Sequence, residues 1–380
     1  MHFKQLLIPT LVPAVVAQNV PNLTDALAGE NSTLSSLNAY LQQNPQLLQS
    51  IGNAQNVTIL APNNDAVNAA INNTDYSSPY ISPGDIQALL SYHVLNGTYY
   101  ASDISNTSQF ISTLLTNTSF TNVTGGQRVE CVSDNKNLTF ISALRQNVTA
   151  VRTNINFTGG TIHIVNGILS VPQNLTDTLV DANLTACVGA IAAANQTQNL
   201  TEVNKATIFA PNNEAFHAIG SVLGNQSTEQ LDQILGYHVV NGTVAYAPDF
   251  QNSTMRAKNG EDINIAVING QIFVNSARVT VPDILYANGV IHVIDQVLNP
   301  NNTSATPTPS ATTAGPAYTS ASSGATGIPY TSGVTTPTTT FPAATSAGGV
   351  TPSRGIAVPM KTGAVRAAAL FGGAAVLANL

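Results

Sequence analysis

Residues Thr58–Val67 read TILAPNNDAV, and residues Thr207–Phe216 read TIFAPNNEAF. Working outward, Tyr92-His93-Val94-Leu95-Asn96-Gly97-Thr98 is echoed by Tyr237-His238-Val239-Val240-Asn241-Gly242-Thr243. Gly160-Thr161-Ile162-His163-Ile164-Val165 is echoed by Gly289-Val290-Ile291-His292-Val293-Ile294. The motifs keep their order, so the chain holds one domain written twice. The period is far longer than that of a solenoid unit. The first copy carries 16 more residues than the second between its Tyr-His pair and its Ile-His strand.

Each copy opens on helical spacing, as in Leu34, Leu37 and Leu41 or Leu184, Cys187, Val188 and Ile191. A short β run follows, Val57–Leu60 or Ala206–Phe209, ended by Ala-Pro-Asn-Asn. In that turn proline fixes φ, and asparagine can cap the next helix. Asp65 or Glu214 then stands in a first helical turn, where the helix dipole favours an acid. Pro83–Leu90 or Thr228–Leu235 predicts a further helix leading into a Tyr-His strand, and Asn96-Gly97 and Asn241-Gly242 mark turns. Period-two alternation (Ile263, Ile265, Val267; Ile272, Val274) precedes the closing Ile-His strand. Helices early and strands late predict an α+β fold.

The ends predict secretion. Residues 1–17 carry Lys4, an apolar stretch broken by Pro9 and Pro13, and Val15-Val16-Ala17, the pattern of a cleaved signal peptide. Residues 301–353 are rich in Thr, Ser, Pro, Ala and Gly, a composition expected to form an extended, O-glycosylated stalk. Residues 354–380 end in an apolar Ala/Gly-rich tail with no Lys or Arg after it. That is the pattern of a glycosylphosphatidylinositol attachment signal, with Ser353 as the expected lipid attachment site and Ser346-Ala347-Gly348 as the alternative. A tail-anchored helix is the competing reading.

Charged residues make up only 8% of the chain, against about a quarter in ordinary soluble domains. Glycans are expected to supply the missing surface polarity. Asn-x-Ser/Thr sequons fall at Asn22, Asn31, Asn56, Asn72, Asn96, Asn106, Asn117, Asn122, Asn137, Asn147, Asn156, Asn174, Asn183, Asn195, Asn199, Asn225, Asn241 and Asn252, and run on to Asn302. The net charge of −7 and the absence of a basic patch exclude nucleic acid as a partner. Two cysteines in a secreted chain invite a disulfide. However, Cys131 falls in register with inward-facing Ile265, and Cys187 lies on an apolar helical stripe. Two buried thiols are the expected state.

These motifs resemble those of the fasciclin domain family. The resemblance spans about Val20–Pro300 and rests on TIFAPNNEAF, YHVVNGT and NGVIHVIDQVLNP, with their counterparts in the first copy. It implies two tandem fasciclin-like β-wedge domains with flanking helices, residues 18–172 and 173–300. It also implies adhesion or wall and matrix association, with a cell-surface or wall protein or glycan as partner. The whole layout looks like that of fungal surface proteins of the family. In animal members the Tyr-His region and an Asp-Ile motif are linked to integrin binding. By resemblance, the candidate binding residues are therefore Tyr92, His93, Tyr237, His238, Asp283 and Ile284. The corresponding stretch of the first copy, around Thr153-Asn154-Ile155-Asn156, has no such Asp-Ile, which makes the first domain the weaker candidate for that activity. A plainer reading makes Asp283 a turn cap and Ile284 core.

Histidines recur in pairs, His93 with His238 and His163 with His292. No carboxylate recurs beside them, so hydrogen-bonded core histidines are expected rather than metal ligands. No nucleophile elbow, zinc-protease helix, phosphate loop or EF-hand loop occurs, and neither an enzyme nor a cofactor is expected. The alternative to adhesion is a non-adhesive structural protein of wall assembly, or a membrane glycoprotein of the vacuolar system.

Overall fold

The computed structural model describes residues 20–71, 83–134, 137–224, 226–307, 317–323 and 327–336. The signal, the lipid-attachment region with Ser353, and the sequons Asn72 and Asn225 lie outside the described residues.

The first domain has helices α1 (Leu23–Gly29), α2 (Asn31–Gln43), α3 (Pro45–Gly52), α4 (Asn64–Ile71) and α5 (Pro83–Tyr92). Its strands are β1 (Val57–Pro62), β2 (Val94–Asn96), β3 (Gln109–Ser112), β4 (Arg128–Ser133), β5 (Leu138–Ile141), β6 (Asn147–Phe157) and β7 (Gly160–Val165). The second domain has α6 (Leu175–Asp181), α7 (Thr185–Ala193), α8 (Thr197–Thr201), α9 (Asn213–Ala218), α10 (Gly220–Leu223) and α11 (Thr228–Tyr237). Its strands are β8 (Ala206–Pro211), β9 (Val239–Val240), β10 (Ser253–Arg256), β11 (Asp262–Ile268), β12 (Gln271–Val274), β13 (Ala277–Tyr286) and β14 (Gly289–Ile294).

The sheet orders are β2-β1-β7-β6-β5-β4-β3 and β10-β11-β12-β13-β14-β8-β9. The first and last strands of each copy pair in parallel, β1 with β7 and β8 with β14. Each sheet then curls until its edges meet. Leu114 N–H donates to the Val94 carbonyl (2.8 Å), and Lys258 N–H to that of Val239 (2.7 Å). Near-closure leaves little unpaired edge for other chains to template on. Gly160 and Gly289 open the last strands because a Cβ there would collide with the carbonyls of Val57 and Ala206 across the parallel pair.

Period-two alternation sorts the central strands between two apolar layers. Ile162 and Ile164 face the helices with Leu34, Leu37 and Leu41, while Val165 faces the wedge interior with Tyr92, Cys131 and Phe140. In the second domain Ile291 and Val293 meet Cys187 and Ile191, and Ile294 meets Tyr237 and Phe209. Both cysteines are buried and unpaired. Burial pushes the Cys187 thiol up to about 12 and the Cys131 thiol higher still, which holds both protonated at neutral pH.

The Ala-Pro-Asn-Asn turns divide their labour. Asn63 and Asn212 accept from the N–H of Ala66 and Ala215 (both 2.8 Å) and start α4 and α9. The next asparagines reach back instead. Asn64 accepts from Ser36 N–H (2.9 Å) and Asn213 from Ala186 N–H (3.0 Å), tying the preceding helix to the sheet.

Two expectations need correction. The Tyr-His pair is not strand: Tyr92 and Tyr237 end α5 and α11, and β2 and β9 begin only at Val94 and Val239. The stalk does not begin at residue 301 throughout, because parts of 317–336 pack on the second domain. Tyr318, Ala321, Ile328 and Tyr330 lie against its helix-side core.

Candidate functional site

All six candidate binding residues are buried. Tyr92, Tyr237 and Ile284 are sealed from solvent, and His93, His238 and Asp283 nearly so. The tyrosine hydroxyls donate across the wedge to the carbonyls of Arg128 and Asp262 (both 2.8 Å). Each following histidine ends its helix. His93 Nδ1 bonds the Leu89 carbonyl (2.8 Å) and His238 Nδ1 that of Ile234 (2.7 Å). Their Nε2 atoms accept from Leu169 N–H (3.0 Å) and Leu298 N–H (2.9 Å), stapling the chain just past β7 and β14 to the helix end. One nitrogen donating and one accepting is the bonding of a neutral imidazole. Burial lowers both pKa values to about 4.

The second histidine pair governs a bulge. In β6 and β13 the register slips just before Ile155 and Ile284. Asn154 and Asp283 take left-handed φ values of 62° and 61° there. Their N–H groups donate to Nδ1 of His163 (3.2 Å) and His292 (3.3 Å). Their side-chain oxygens accept from Ala101 N–H (2.9 Å) and Ala247 N–H (2.8 Å). The imidazole Nε2 atoms bond the carbonyls of Tyr99 and Ala245 (both 2.9 Å). Asn-Ile and Asp-Ile are thus the same device, and asparagine suits a left-handed site well. Among the described residues no group of three or more His, Cys, Asp or Glu could hold a metal.

What differs between the copies is what lies over the bulge. On the second domain it is covered by the first, through two loops that hold most of the first copy's extra length. Residues 113–127 stand where the second domain has only 257–261, and the turn 142–146 stands where it has 275–276. From the longer loop, Asn122 N–H donates to the Ala287 carbonyl (3.1 Å), Asn122 Nδ2 to Asn288 Oδ1 (2.9 Å) and Gln127 Nε2 to the Tyr286 carbonyl (3.0 Å). From the shorter one, Leu144 enters the helix-side core of the second domain. Arg145 Nη1 reaches the Pro282 carbonyl (3.0 Å) while pairing with buried Glu130 (3.2 Å). Leu144 and Arg145 both hold left-handed φ, at 53° and 55°, a strained backbone that the joint sustains. Phe110 stacks on Tyr246 at 4.0 Å.

Asp283 sits in this joint beside Glu130, Asp249 and Arg145. Burial, then the charge of Glu130, raises its carboxyl to about 7, against the Ala247 N–H bond and Arg145. His292, 3.9 Å away, is lowered to about 4 by burial and stays neutral. The sequon nitrogen of Asn122 is spent in the joint. Asn96, Asn156 and Asn241 are exposed.

Among the described residues nothing comparable covers the equivalent face of the first domain. Tyr100 precedes a 3₁₀ turn as Tyr246 does, yet is 38% exposed against 6%. Val151 is 55% exposed, and Arg152 and Asn154 beside it are exposed. The sequence reading missed both joint and open face. The extra length of the first copy was the available signal.

Two near-closed α+β wedges, built on the same histidine-stapled turns and joined by insertions in the first, define a tandem-domain scaffold. The fasciclin domain model matches residues 32–172 and 182–300, and the chain belongs to that family. A fasciclin-like arabinogalactan protein of Arthroderma benhamiae is 37% identical over 317 residues, 82% of this chain and 75% of that protein. Another, from Phaeosphaeria nodorum, is 29% identical, covering 73% of this chain and 90% of its own length. A solved domain pair from the insect cell adhesion molecule Fasciclin I aligns with 71% of this chain and 98% of its own, at 19% identity and a TM-score of 0.34.

Proposed function

We propose that this chain is a glycosylated, lipid-anchored surface protein whose tandem fasciclin domains mediate adhesion or wall and matrix association. Its contact face is then the open face of the first domain, around Tyr100, Val151, Arg152 and Asn154. One observation carries this reading. The same face of the second domain binds a folded protein surface, the first domain, and among the described residues the first domain's own copy has no such cover. Its chemistry is aromatic and aliphatic, with one cation and a backbone bulge, which suits a protein or glycan partner. The exposed sequons Asn96 and Asn156 would rim it with sugar. The buried Tyr-His and Asp-Ile residues act as its scaffold: they set the bulge and the turn and need not touch a ligand.

The test is aggregation of intact cells carrying Tyr100→Ala with Val151→Glu, two exposed positions that leave the cores intact. Adhesion should fall at least several-fold with unchanged surface amount. Unchanged adhesion would sink the assignment of the face. Sensitivity to wall-perturbing dyes without any adhesion defect would favour the structural alternative. Anchoring is tested separately by phosphatidylinositol-specific phospholipase C. Release of the protein from intact cells supports the lipid anchor, and retention in an internal membrane fraction contradicts it.

A further inference from the structure

The sequence after the second domain contains Tyr-Thr-Ser twice, at Tyr318-Thr319-Ser320 and Tyr330-Thr331-Ser332. Both copies lie on the helix face of the second domain. Around the first, Ala317 N–H donates to Gln296 Oε1 (3.0 Å), and its carbonyl accepts from Asn299 (3.0 Å) and Asn302 (3.2 Å). The Tyr318 hydroxyl donates to the Leu298 carbonyl (3.3 Å). Ser322 then pairs both ways with Ser221 at α10: its N–H donates to Ser221 Oγ (2.9 Å), and its carbonyl accepts from Ser221 N–H (3.2 Å).

Around the second copy, the Tyr330 hydroxyl donates to the Leu223 carbonyl that ends α10 (3.0 Å). Its ring meets Phe216 of α9 edge-on, with centroids 6.5 Å apart. Its backbone rests on Gly189 of α7, where a Cβ would fall inside the Tyr330 carbonyl. Thr319, Ser320 and Ser332 are exposed, so the segment turns aromatic rings inward and hydroxyls outward.

We infer that the groove formed by α7, α9, α10 and the chain just past β14 is a peptide-binding site for a Tyr-Thr-Ser segment, and that its occupants are residues 317–323 and 327–336 of the same chain. Three features single out a site rather than a chance contact: glycine in α7 where a backbone must approach, a carbonyl-to-tyrosine bond at each ring, and a sequence repeat matching two seats. The strap makes the helix face of the second domain the point from which the rest of the tail departs. A tether would then start after residue 336, far shorter than residues 301–353 imply. The inference stands without the lipid-anchor reading.

Gly189→Ala in the full-length secreted protein gives opposite signs under the two possibilities. Alanine is the better helix former, so an unoccupied groove would answer with a melting temperature about 2–4 °C higher. With the strap seated, the new methyl meets the Tyr330 carbonyl. The melting temperature should then fall, and amide hydrogen exchange at 221–223 and 317–336 should speed up at least tenfold. Tyr330→Ala, which alters no helix, should produce the same gain in exchange in the same segments. A raised melting temperature for Gly189→Ala, or unchanged exchange in Tyr330→Ala, overturns the inference. So would a dimer by light scattering that Tyr330→Ala abolishes, because the groove would then hold a second copy's tail.

Discussion

The bulge at Asn154 and the bulge at Asp283 have the same backbone, the same histidine and the same bond to a 3₁₀ turn, yet one is wet and the other is the middle of a joint. Nothing local decides this. The difference is made by two loops elsewhere in the first copy, which carry Asn122, Gln127, Leu144 and Arg145 onto the second domain. A duplicated domain thus has two identical faces to spend, and insertion in one copy consumes only one of them.

Aromatic pairs should separate the faces most sharply. Tyr246→Ala removes a ring stacked in the joint and should cost about 3 kcal/mol or more in chemical denaturation, whereas Tyr100→Ala, half exposed, should stay within about 0.5 kcal/mol. Equal costs would mean that the joint does not hold in solution. Arginines come next. Arg145→Ala removes the ion pair of buried Glu130, which keeps its bond from the Ser108 hydroxyl, and should cost about 3 kcal/mol, with domain motion appearing in small-angle scattering. Arg152→Ala removes an exposed arginine from Glu30, itself buried, and should cost about 1 kcal/mol, less than Arg145→Ala, where both partners of the pair are buried.

The smallest effect is in the pH response. Buried neutral histidines have folded pKa values below their ordinary 6.5, so their contribution is complete above about pH 6.5 and is lost as pH falls toward about 4. Asp283 acts oppositely. Its folded value of about 7 lies above the ordinary 3.8, so the folded state takes up a proton first and gains stability as pH falls through that window. The second domain is therefore partly compensated in acid and the first is not, and the first should open earlier in an acid scan followed by hydrogen exchange. Asp283→Asn, which copies Asn154, should steepen the second domain's acid loss between about pH 7 and 4. An unchanged slope would show that Asp283 does not titrate in the joint.

The fold was legible because its determinants are local and repeated. A capping asparagine, a glycine at a parallel pair and alternating Ile and Val each leave a mark in the sequence. The Tyr-His pair was legible as important but not as helix end, since the deciding bond runs from the imidazole back to a carbonyl four residues earlier. The candidate ligand contacts read as binding residues only by resemblance; their burial depends on closure of the sheet and on the neighbouring domain. Least visible were the joint and the strap. Each depends on loops meeting distant surfaces, and composition marked residues 317–336 as stalk because Thr, Ser and Gly outnumber the two tyrosines that hold them down.

The parallel pairing of β14 with β8 has a mechanical meaning. β14 is the last strand of the second domain, held by β13 on one side and β8 on the other. A pull applied from the C-terminal side first strips the Tyr330 and Tyr318 anchors and then loads β14 along its length. Its hydrogen bonds to both neighbours are then sheared together rather than unzipped singly. The strap is then the element that yields first under such a pull and lengthens before β14 bears load.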